Sequence, residues 1–242
     1  MSSDSTRYAI YFAPHSDDPL WRFGSGILGY DGAMGEEVPQ LVPRGLDAEA
    51  FRALTEEPRR YAFHATLKAP FRLAEGRTES ELIDALVAFA EARPAFTMPR
   101  LILTAIGREP AEGAFLALVE ARPTPALLDL ERALVPAFEP FRAPATEAEI
   151  ARRRPETLTE RQRQYLETYG YPYVLEEFRF HMTLTGRVPR QDVARTEAAL
   201  ALAYAEHVPP GDILVDALAL CRQEGPGERF RIVGRAALGA QP

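Results

Sequence analysis

The chain has 242 residues, of which 46% are apolar and 26% charged, as in an ordinary soluble globular protein. Its formal net charge of −7 disfavours binding of long nucleic acid, although a few local arginines could still hold a small anion. A single cysteine, Cys221, excludes an internal disulfide framework and indicates a reducing compartment. With no signal-peptide pattern and no apolar run of the roughly 18–20 residues that span a bilayer, we expect a cytoplasmic protein without a membrane segment.

The first half of the chain is predicted to alternate strands and helices. Its elements in chain order are a strand at 8–13, an irregular stretch at 14–60, a strand at 61–68 that Pro70 ends, a helix that starts at the capping box Thr78-x-x-Glu81, two strands at 100–107 and 115–121 around the turn 108–114, and a helix at 124–138. The second half is predicted to contain a strand at 178–186, a helix at 189–207, and two strands at 212–222 and 229–237.

Both halves therefore share the order strand, helix, strand, strand. We predict an α+β fold of two duplicated antiparallel-sheet lobes, with helices outside, that face each other across a central cleft. The pseudo-repeats are expected at about 61–121 and 178–237, within a single bilobal domain that covers 1–242. Residues 140–177 have no counterpart in the first half. This insertion is either a surface connector or a flap that carries arginine and tyrosine onto a substrate.

A short phrase, Phe-His-x-Thr-Leu, occurs twice, as FHATL around His64 and FHMTL around His181. The chain contains only four histidines, and two of them occupy this same position. Because side chains alternate along a strand, His64 and Thr66 are expected to point into the cleft together, as are His181 and Thr183. Two such copies have a chance probability of the order of 10⁻⁴, so a purely structural role is the weaker interpretation.

Two opposed histidines suit displacement at phosphorus. An imidazole with a pKa near 6.5 can act as a base or as an acid at neutral pH, so one ring can activate the nucleophile and the other can protonate the leaving oxygen. Threonine hydroxyls and the ammonium of Lys68, the only lysine in the chain, could bind the non-bridging phosphate oxygens. This chemistry covers opening of a cyclic phosphodiester by water and the reverse ring closure, and it leaves open which histidine is the base.

Zinc is the competing interpretation of two histidines. A catalytic zinc site needs a third protein ligand, and no Asp, Glu or Cys recurs beside the two phrases. The patterns H-E-x-x-H and C-x-x-C are absent from the sequence. We therefore expect neither a metal nor another cofactor.

At these residues the chain resembles the 2H phosphoesterase superfamily, which is defined by two His-x-Thr/Ser-hydrophobic motifs. Longer phrases, YAIYFAP, PLWRFGS, RRYAFHATLKAPF and GYPYVLEEFRFHMTLTGR, resemble its branch named for phosphonate metabolism (DUF1045-like). The resemblance implies a bilobal α+β fold and metal-free cyclic phosphodiesterase or related RNA-end chemistry. It also implies that His64 and His181 are the acid/base pair, that Thr66 and Thr183 hold the phosphate, and that the substrate is a small ribose phosphate such as a ribosyl cyclic phosphate.

Three further side chains are candidates for substrate binding. Arg179 lies on the face of the second histidine and could bind phosphate, although a salt bridge with Glu176 or Glu177 is an equal alternative. Tyr171 could stack on a base or a sugar, with loop packing as the safer interpretation. Tyr11 could line the cleft from the first strand, but aromatic residues in strands usually lie in the core.

The sequence thus predicts a monomeric, metal-independent cyclic phosphodiesterase that acts on a small phosphorylated substrate, and its net negative charge disfavours long nucleic acid as a partner. One alternative is a regulator that binds a nucleotide or a phosphosugar without catalysis. Another is an RNA-end ligase or processing enzyme, which would need a basic groove leading away from the histidines. The arginine run at 152–154 is the one segment that could supply such a groove.

Overall fold

The computed structural model of the chain describes residues 6–107 and 113–239. Its strands are β1 (Arg7–Phe12), β2 (Tyr30–Asp31), β3 (Glu36–Glu37), β4 (Ala65–Phe71), β5 (Phe96–Met98), β6 (Leu101–Ile106), β7 (Ala114–Glu120), β8 (His181–Val188), β9 (Ile213–Val215), β10 (Ala217–Gln223) and β11 (Arg231–Ala237). Its α-helices are α1 (Pro19–Leu28), α2 (Ala48–Leu54), α3 (Glu56–Arg59), α4 (Glu79–Glu91), α5 (Pro125–Ala137), α6 (Glu147–Arg152), α7 (Glu160–Tyr169) and α8 (Arg190–His207). Most of the predicted turn 108–114 lies outside the described residues.

Seven strands form one sheet in the order β11-β10-β1-β4-β8-β7-β6. All the neighbouring strands are antiparallel, and β4 and β8 join the two halves of the sheet through the pair Ala65–Met182. The predicted α+β class with antiparallel strands is therefore confirmed. The division of the chain into two lobes with repeats at 61–121 and 178–237 stays a prediction, because the two halves meet within a single sheet.

The same order of elements recurs after each histidine phrase. The first series is β4, α4, β5, β6 and β7, and the second is β8, α8, β9, β10 and β11. The closing hairpin of each series lies in the half of the sheet that holds the first strand of the other series. Strand β7 of the hairpin β6–β7 lies beside β8, and β10 of the hairpin β10–β11 is separated from β4 only by β1. The chain crosses between the halves at β5 and β9, and these two segments pair with each other antiparallel. The crossing brings β4 and β8 side by side at the middle of the sheet.

The stretch 14–60 contains three helices, α1, α2 and α3, where the sequence analysis expected irregular structure throughout. Helix α1 begins at an N-cap, Asp18, whose side chain accepts from the Leu20 N–H, and it ends at Gly29, which has φ 68°. Its interior glycines obscured this helix in the sequence, because glycine is a poor helix former. Gly24 is required by packing, since a Cβ there would lie 2.2 Å from the ring of Phe63. The first helix therefore packs directly against the residue that precedes His64.

The strand after His64 also runs further than predicted. Pro70 does not end it, because β4 continues to Phe71. The register between β1 and β4 shifts along this stretch, and β4 is paired with β8 only at Ala65, so the missing N–H of Pro70 disrupts no ladder bond. The predicted strand 212–222 is split into β9 and β10.

The buried core includes large aromatic side chains from β1, from α1 and from the first histidine phrase. Trp21, Phe12, Phe23 and Phe63 are each at most 2% exposed. The capping box at Thr78 is present as predicted, with Glu81 bonded back to the Thr78 N–H. No helix in the described part of the chain is long and apolar enough to cross a membrane.

Candidate active site

The two histidine phrases lie side by side where β4 meets β8. Ala65 pairs with Met182, and extending this antiparallel register by one residue sets His64 opposite Thr183 and Thr66 opposite His181. The two histidines are then diagonal neighbours, with Cα atoms about 7–8 Å apart. Each threonine faces the histidine of the other phrase, so a local twofold arrangement of histidine and hydroxyl surrounds one point of the sheet.

His64 is held by contacts to both ring nitrogens. Its Nδ1 lies 3.0 Å from the carbonyl oxygen of Ala62, and its Nε2 lies 3.1 Å from Oγ1 of Thr66. A carbonyl can only accept, so Nδ1 carries the proton, and in the neutral ring Nε2 accepts from the threonine hydroxyl. The ring of Tyr11 stacks on the imidazole with 3.8 Å between centroids. The pKa of His64 is lowered to about 4, chiefly by burial; the bond to the Ala62 carbonyl opposes this change, and the nearby His181 adds to it.

His181 makes the same contact with the backbone two residues before it. Its Nδ1 donates to the carbonyl oxygen of Arg179, two residues back, at 2.8 Å. In both phrases this bond fixes the ring so that Nε2 is the nitrogen available to a substrate. Ala62 has a positive φ of 60°, a conformation that L-residues adopt at a cost, and this conformation accompanies the carbonyl contact to His64.

Two adjoining cavities open onto these side chains. The first, which we call the His64 cavity, has a volume of about 300 Å³ and includes His64 and Thr183 in its wall. The second, the His181 cavity, has a volume of about 580 Å³ and includes Thr66 and His181. Phe115 and Arg187 line both cavities, so the two are contiguous. The four motif side chains of the sequence analysis therefore surround one space.

The remaining predicted binding residues divide between the cavity and the core. Arg179 and Tyr171 line the His181 cavity. Arg179 donates to the backbone carbonyls of Glu176 and Phe178, rather than to a carboxylate of the neighbouring glutamates. Tyr11 is 0% exposed and supports the face of His64 from behind, which corrects the expectation that it contacts substrate.

Lys68 is not placed where the sequence analysis expected it. Its ammonium is buried, 3.0 Å from the carbonyl oxygen of Val135 and 2.9 Å from Oε2 of Glu139, and it lines neither cavity. Helix α5 covers this part of β4, so the ammonium of Lys68 forms an ion pair with Glu139 inside the fold and is not available to a substrate. Burial lowers the pKa of Lys68, and the carboxylate of Glu139 opposes that change. The phosphate contact predicted for Lys68 is therefore wrong.

Sequence reasoning found Arg179 but missed a second cation of the site, Arg187. Arg187 lies on β8 and lines both cavities together with Phe115, which is its partner on β7. The signal was present, because Arg187 continues the alternation that starts at His181 and passes through Thr183. Phe115 carried no such signal, since only the pairing of β7 with β8 brings it to the histidines.

The donor set argues for proton-transfer chemistry. Among residues 6–107 and 113–239, no three His, Cys, Asp or Glu side chains lie together in a way that could hold a metal ion. The walls of the two cavities include two imidazoles, threonine hydroxyls and guanidinium groups, which can bind anionic oxygens or transfer protons to them, besides the carboxylates of Glu57 and Glu177.

The chain belongs to a family described as "Protein of unknown function (DUF1045)", whose pattern it matches over residues 66–231. The branch of the resemblance drawn from the longer phrases is therefore confirmed. Two curated relatives are each called "Ribose 1,5-bisphosphate phosphokinase PhnN". The protein from Janthinobacterium sp. (strain Marseille) is 39% identical over 95% of this chain, and that from Laribacter hongkongensis (strain HLHK9) is 33% identical over 93%. The chain spans about half (50%) of the length of each relative.

Solved structures with a similar course of the chain are more distant in sequence. The protein TT0787 of Thermus thermophilus matches with a TM-score of 0.48 and 16% identity, covering 98% of this chain and 100% of that one. E. coli LigT complexed with ATP matches with a TM-score of 0.42 and 14% identity, covering 98% and 99%. A likeness at these values carries no inference about activity.

Proposed function

We propose that the protein is a metal-independent phosphoesterase that opens a cyclic phosphodiester by two-histidine general acid/base catalysis. The observation that carries this proposal is the diagonal arrangement of His64 and His181, each with Nδ1 bonded to a carbonyl and Nε2 directed away from it. A simple binding site needs no matched pair of oriented imidazoles. The regulator considered from the sequence is therefore the weaker candidate.

The environment of His64 favours the role of base. With a pKa of about 4, its ring is neutral at pH 7. The Nε2 lone pair accepts from the Thr66 hydroxyl in the free protein, and it takes a proton from the attacking water once that hydroxyl turns to the phosphate. Water forms a bond to phosphorus while the bond from phosphorus to one ring oxygen breaks. In the reacting state both ring nitrogens of His181 carry protons, and Nε2 gives its proton to that leaving oxygen while Nδ1 keeps its bond to the Arg179 carbonyl. His64 then returns the proton it took to solvent, and His181 takes one back.

The hydroxyls and the arginine stabilise the developing charge. Thr183 lines the His64 cavity and Thr66 lines the His181 cavity, so their hydroxyls can donate to the non-bridging oxygens of a phosphate held between the histidines. The guanidinium of Arg187 lines both cavities and supplies the cation that Lys68 does not. A charge-assisted hydrogen bond of this kind contributes most when it is preorganised for the transition state.

The names of the relatives support a ribose phosphate as the substrate. They are named for a kinase that acts on ribose 1,5-bisphosphate, and this chain corresponds to only half of their length. We infer that the matching half produces a ribose 1-phosphate, the part of ribose 1,5-bisphosphate at C1, by opening a ribose 1,2-cyclic phosphate at the bond between phosphorus and O2. This cleavage leaves the phosphate on C1. The proposed setting is phosphonate catabolism, and an RNA terminus is the alternative substrate.

A panel of cyclic phosphates in excess EDTA tests the proposal. It contains ribose 1,2-cyclic phosphate, 2′,3′-cyclic nucleotides and a short RNA with a 2′,3′-cyclic end, with ³¹P NMR of the products in ¹⁸O-labelled water. We expect chelator-resistant turnover, one ¹⁸O on phosphorus, and ribose 1-phosphate from the ribose substrate. Faster turnover of the cyclic-ended RNA than of the ribose substrate would indicate RNA-end processing instead. Tight binding of a cyclic phosphate without any turnover would refute catalysis.

A further inference from the structure

A third cavity lies beside the His64 cavity and plays no part in the acid/base chemistry. Its volume is about 320 Å³, and four arginines contribute to its wall: Arg7, Arg142, Arg152 and Arg153. Three of them, Arg142, Arg152 and Arg153, belong to the segment 140–177 that has no counterpart in the other half of the chain. We call this space the arginine cavity.

Much of the positive charge around the arginine cavity is uncompensated. Within the described residues, Arg152 and Arg153 contact no carboxylate, since Arg152 bonds to a backbone carbonyl and Arg153 lies over the ring of Tyr171 at 4.8 Å. Arg7 is held by the neutral amide of Gln223, through Nε and Nη2 at 2.8 and 2.6 Å. These three guanidinium groups are therefore positioned without being neutralised.

The acidic side chains near the arginine cavity do not cancel its positive charge. Glu149 also lines the cavity, but its carboxylate pairs with Arg72 at 3.3 Å. Arg142 is paired with Glu139 at 2.6 Å and contributes little free charge. The remaining acid is Glu57, at the wall that the arginine cavity shares with the His64 cavity.

The arginine cavity is continuous with the catalytic space. Tyr61 and Glu57 line both the arginine cavity and the His64 cavity. The ring of Tyr61 lies 6.4 Å from that of His64 and 5.6 Å from that of Phe230, and the guanidinium of Arg7 sits 5.5 Å over Phe230. A short row of aromatic rings thus connects the catalytic histidine with the arginines.

We propose that the arginine cavity binds a second phosphate of the same substrate, a phosphomonoester remote from the cyclic phosphate. This assignment rests on the function proposed above and narrows the substrate to a cyclic phosphodiester of a sugar that carries another phosphate. Guanidinium groups bind phosphate oxygens in pairs and remain charged at every relevant pH. Glu57 repels an anion from the shared wall and accepts hydrogen bonds from sugar hydroxyls there. The inserted segment therefore supplies specificity, and the bisphosphorylated ribose in the relatives' name is consistent with this division.

The test compares ribose 1,2-cyclic phosphate with its 5-phosphorylated form. We expect the parent to have a kcat/KM at least ~30-fold higher for the phosphorylated substrate, mainly through a lower KM. Arg152→Gln and Arg153→Gln should each remove ~10-fold or more of that preference. Both side chains are exposed, so folding is not at risk. Arg161→Gln, at an exposed position on α7 outside the three cavities, is the matched control and should change nothing.

Equal kcat/KM values for the two substrates in the parent would overturn the proposal, as would variants that retain the full preference. If neither substrate is turned over, calorimetric titration with ribose 5-phosphate and with ribose separates the two proposals. Binding of ribose 5-phosphate at least ~10-fold tighter than ribose, lost in Arg152→Gln and Arg153→Gln, would support the phosphate subsite while refuting the catalytic proposal. Equal binding of the two would refute the subsite. Stronger turnover of a cyclic-ended RNA, reduced in the same variants, would assign the arginines to an RNA backbone instead.

Discussion

The low pKa of His64 makes the stability of the protein depend on pH in a calculable way. The perturbation is His64→Gln, which keeps a hydrogen-bonding side chain but cannot titrate. A histidine whose pKa falls from 6.5 to about 4 on folding contributes stability above pH 6.5 that is lost as the pH falls through 4. From these two values, lowering the pH from 7.5 to 4.5 should cost the parent about 2.5 kcal/mol through this one group.

The assay is urea unfolding of the parent and of His64→Gln at pH 7.5 and 4.5. The free energy of unfolding should fall more in the parent than in the variant, by about 2.5 kcal/mol. Comparing the two proteins cancels the titration of all other groups, provided that the variant keeps its fold. An equal fall in both would refute the argument that burial keeps this imidazole neutral, and with it the assignment of His64 as the base.

Three further predictions follow from individual contacts. Gly24→Ala should destabilise the protein by about 1–3 kcal/mol in urea unfolding, because the new methyl group overlaps the ring of Phe63. The control is Gly26→Ala in the same helix, whose methyl group meets only an ordinary contact and should leave the stability unchanged or raise it. Burial raises the pKa of Glu131 to about 7, so its stabilising contribution is present below pH 4.5 and lost as the pH rises through 7. As the pH rises from 5 to 8, the thermal unfolding midpoint of Glu131→Gln should therefore rise relative to that of the parent. A difference between the two midpoints that does not change with pH would contradict the raised pKa. Arg187→Gln should lower kcat by roughly 10–100-fold with a smaller effect on KM, with partial recovery in Arg187→Lys, and an unchanged kcat would remove Arg187 from the site.

The acid/base residues were predictable because the sequence carries them twice. His64 and His181 each sit in the same short phrase, and strand alternation alone places a threonine on the same face. The same alternation, followed two residues beyond Thr185, would have reached Arg187. Family membership and the antiparallel α+β class followed from longer phrases and from the recurring order of elements.

The errors concern contacts between distant parts of the chain. Lys68 shares its phrase with His64, but its partner Glu139 lies 71 residues away, and the covering helix α5 could not be read from the strand. Tyr11 has the pattern of a strand residue whether it faces substrate or packs behind an imidazole. Helix α1 was hidden by glycines whose role depends on Phe63, a residue of another element. In each case the sequence shows the residue type, while the partner is set by the fold.

The joint action of the two histidines is the central claim, and rates of the single and double variants test it most directly. The measurement is kcat for ribose 1,2-cyclic phosphate, or its 5-phosphate, in excess EDTA, for the parent, His64→Ala, His181→Ala and the double variant. We predict that each single variant loses at least ~10² in kcat and that the double variant loses far less than the product of the two, because the residues act as a unit. Full activity in either single variant, or loss of the parent's activity to the chelator, would contradict the mechanism.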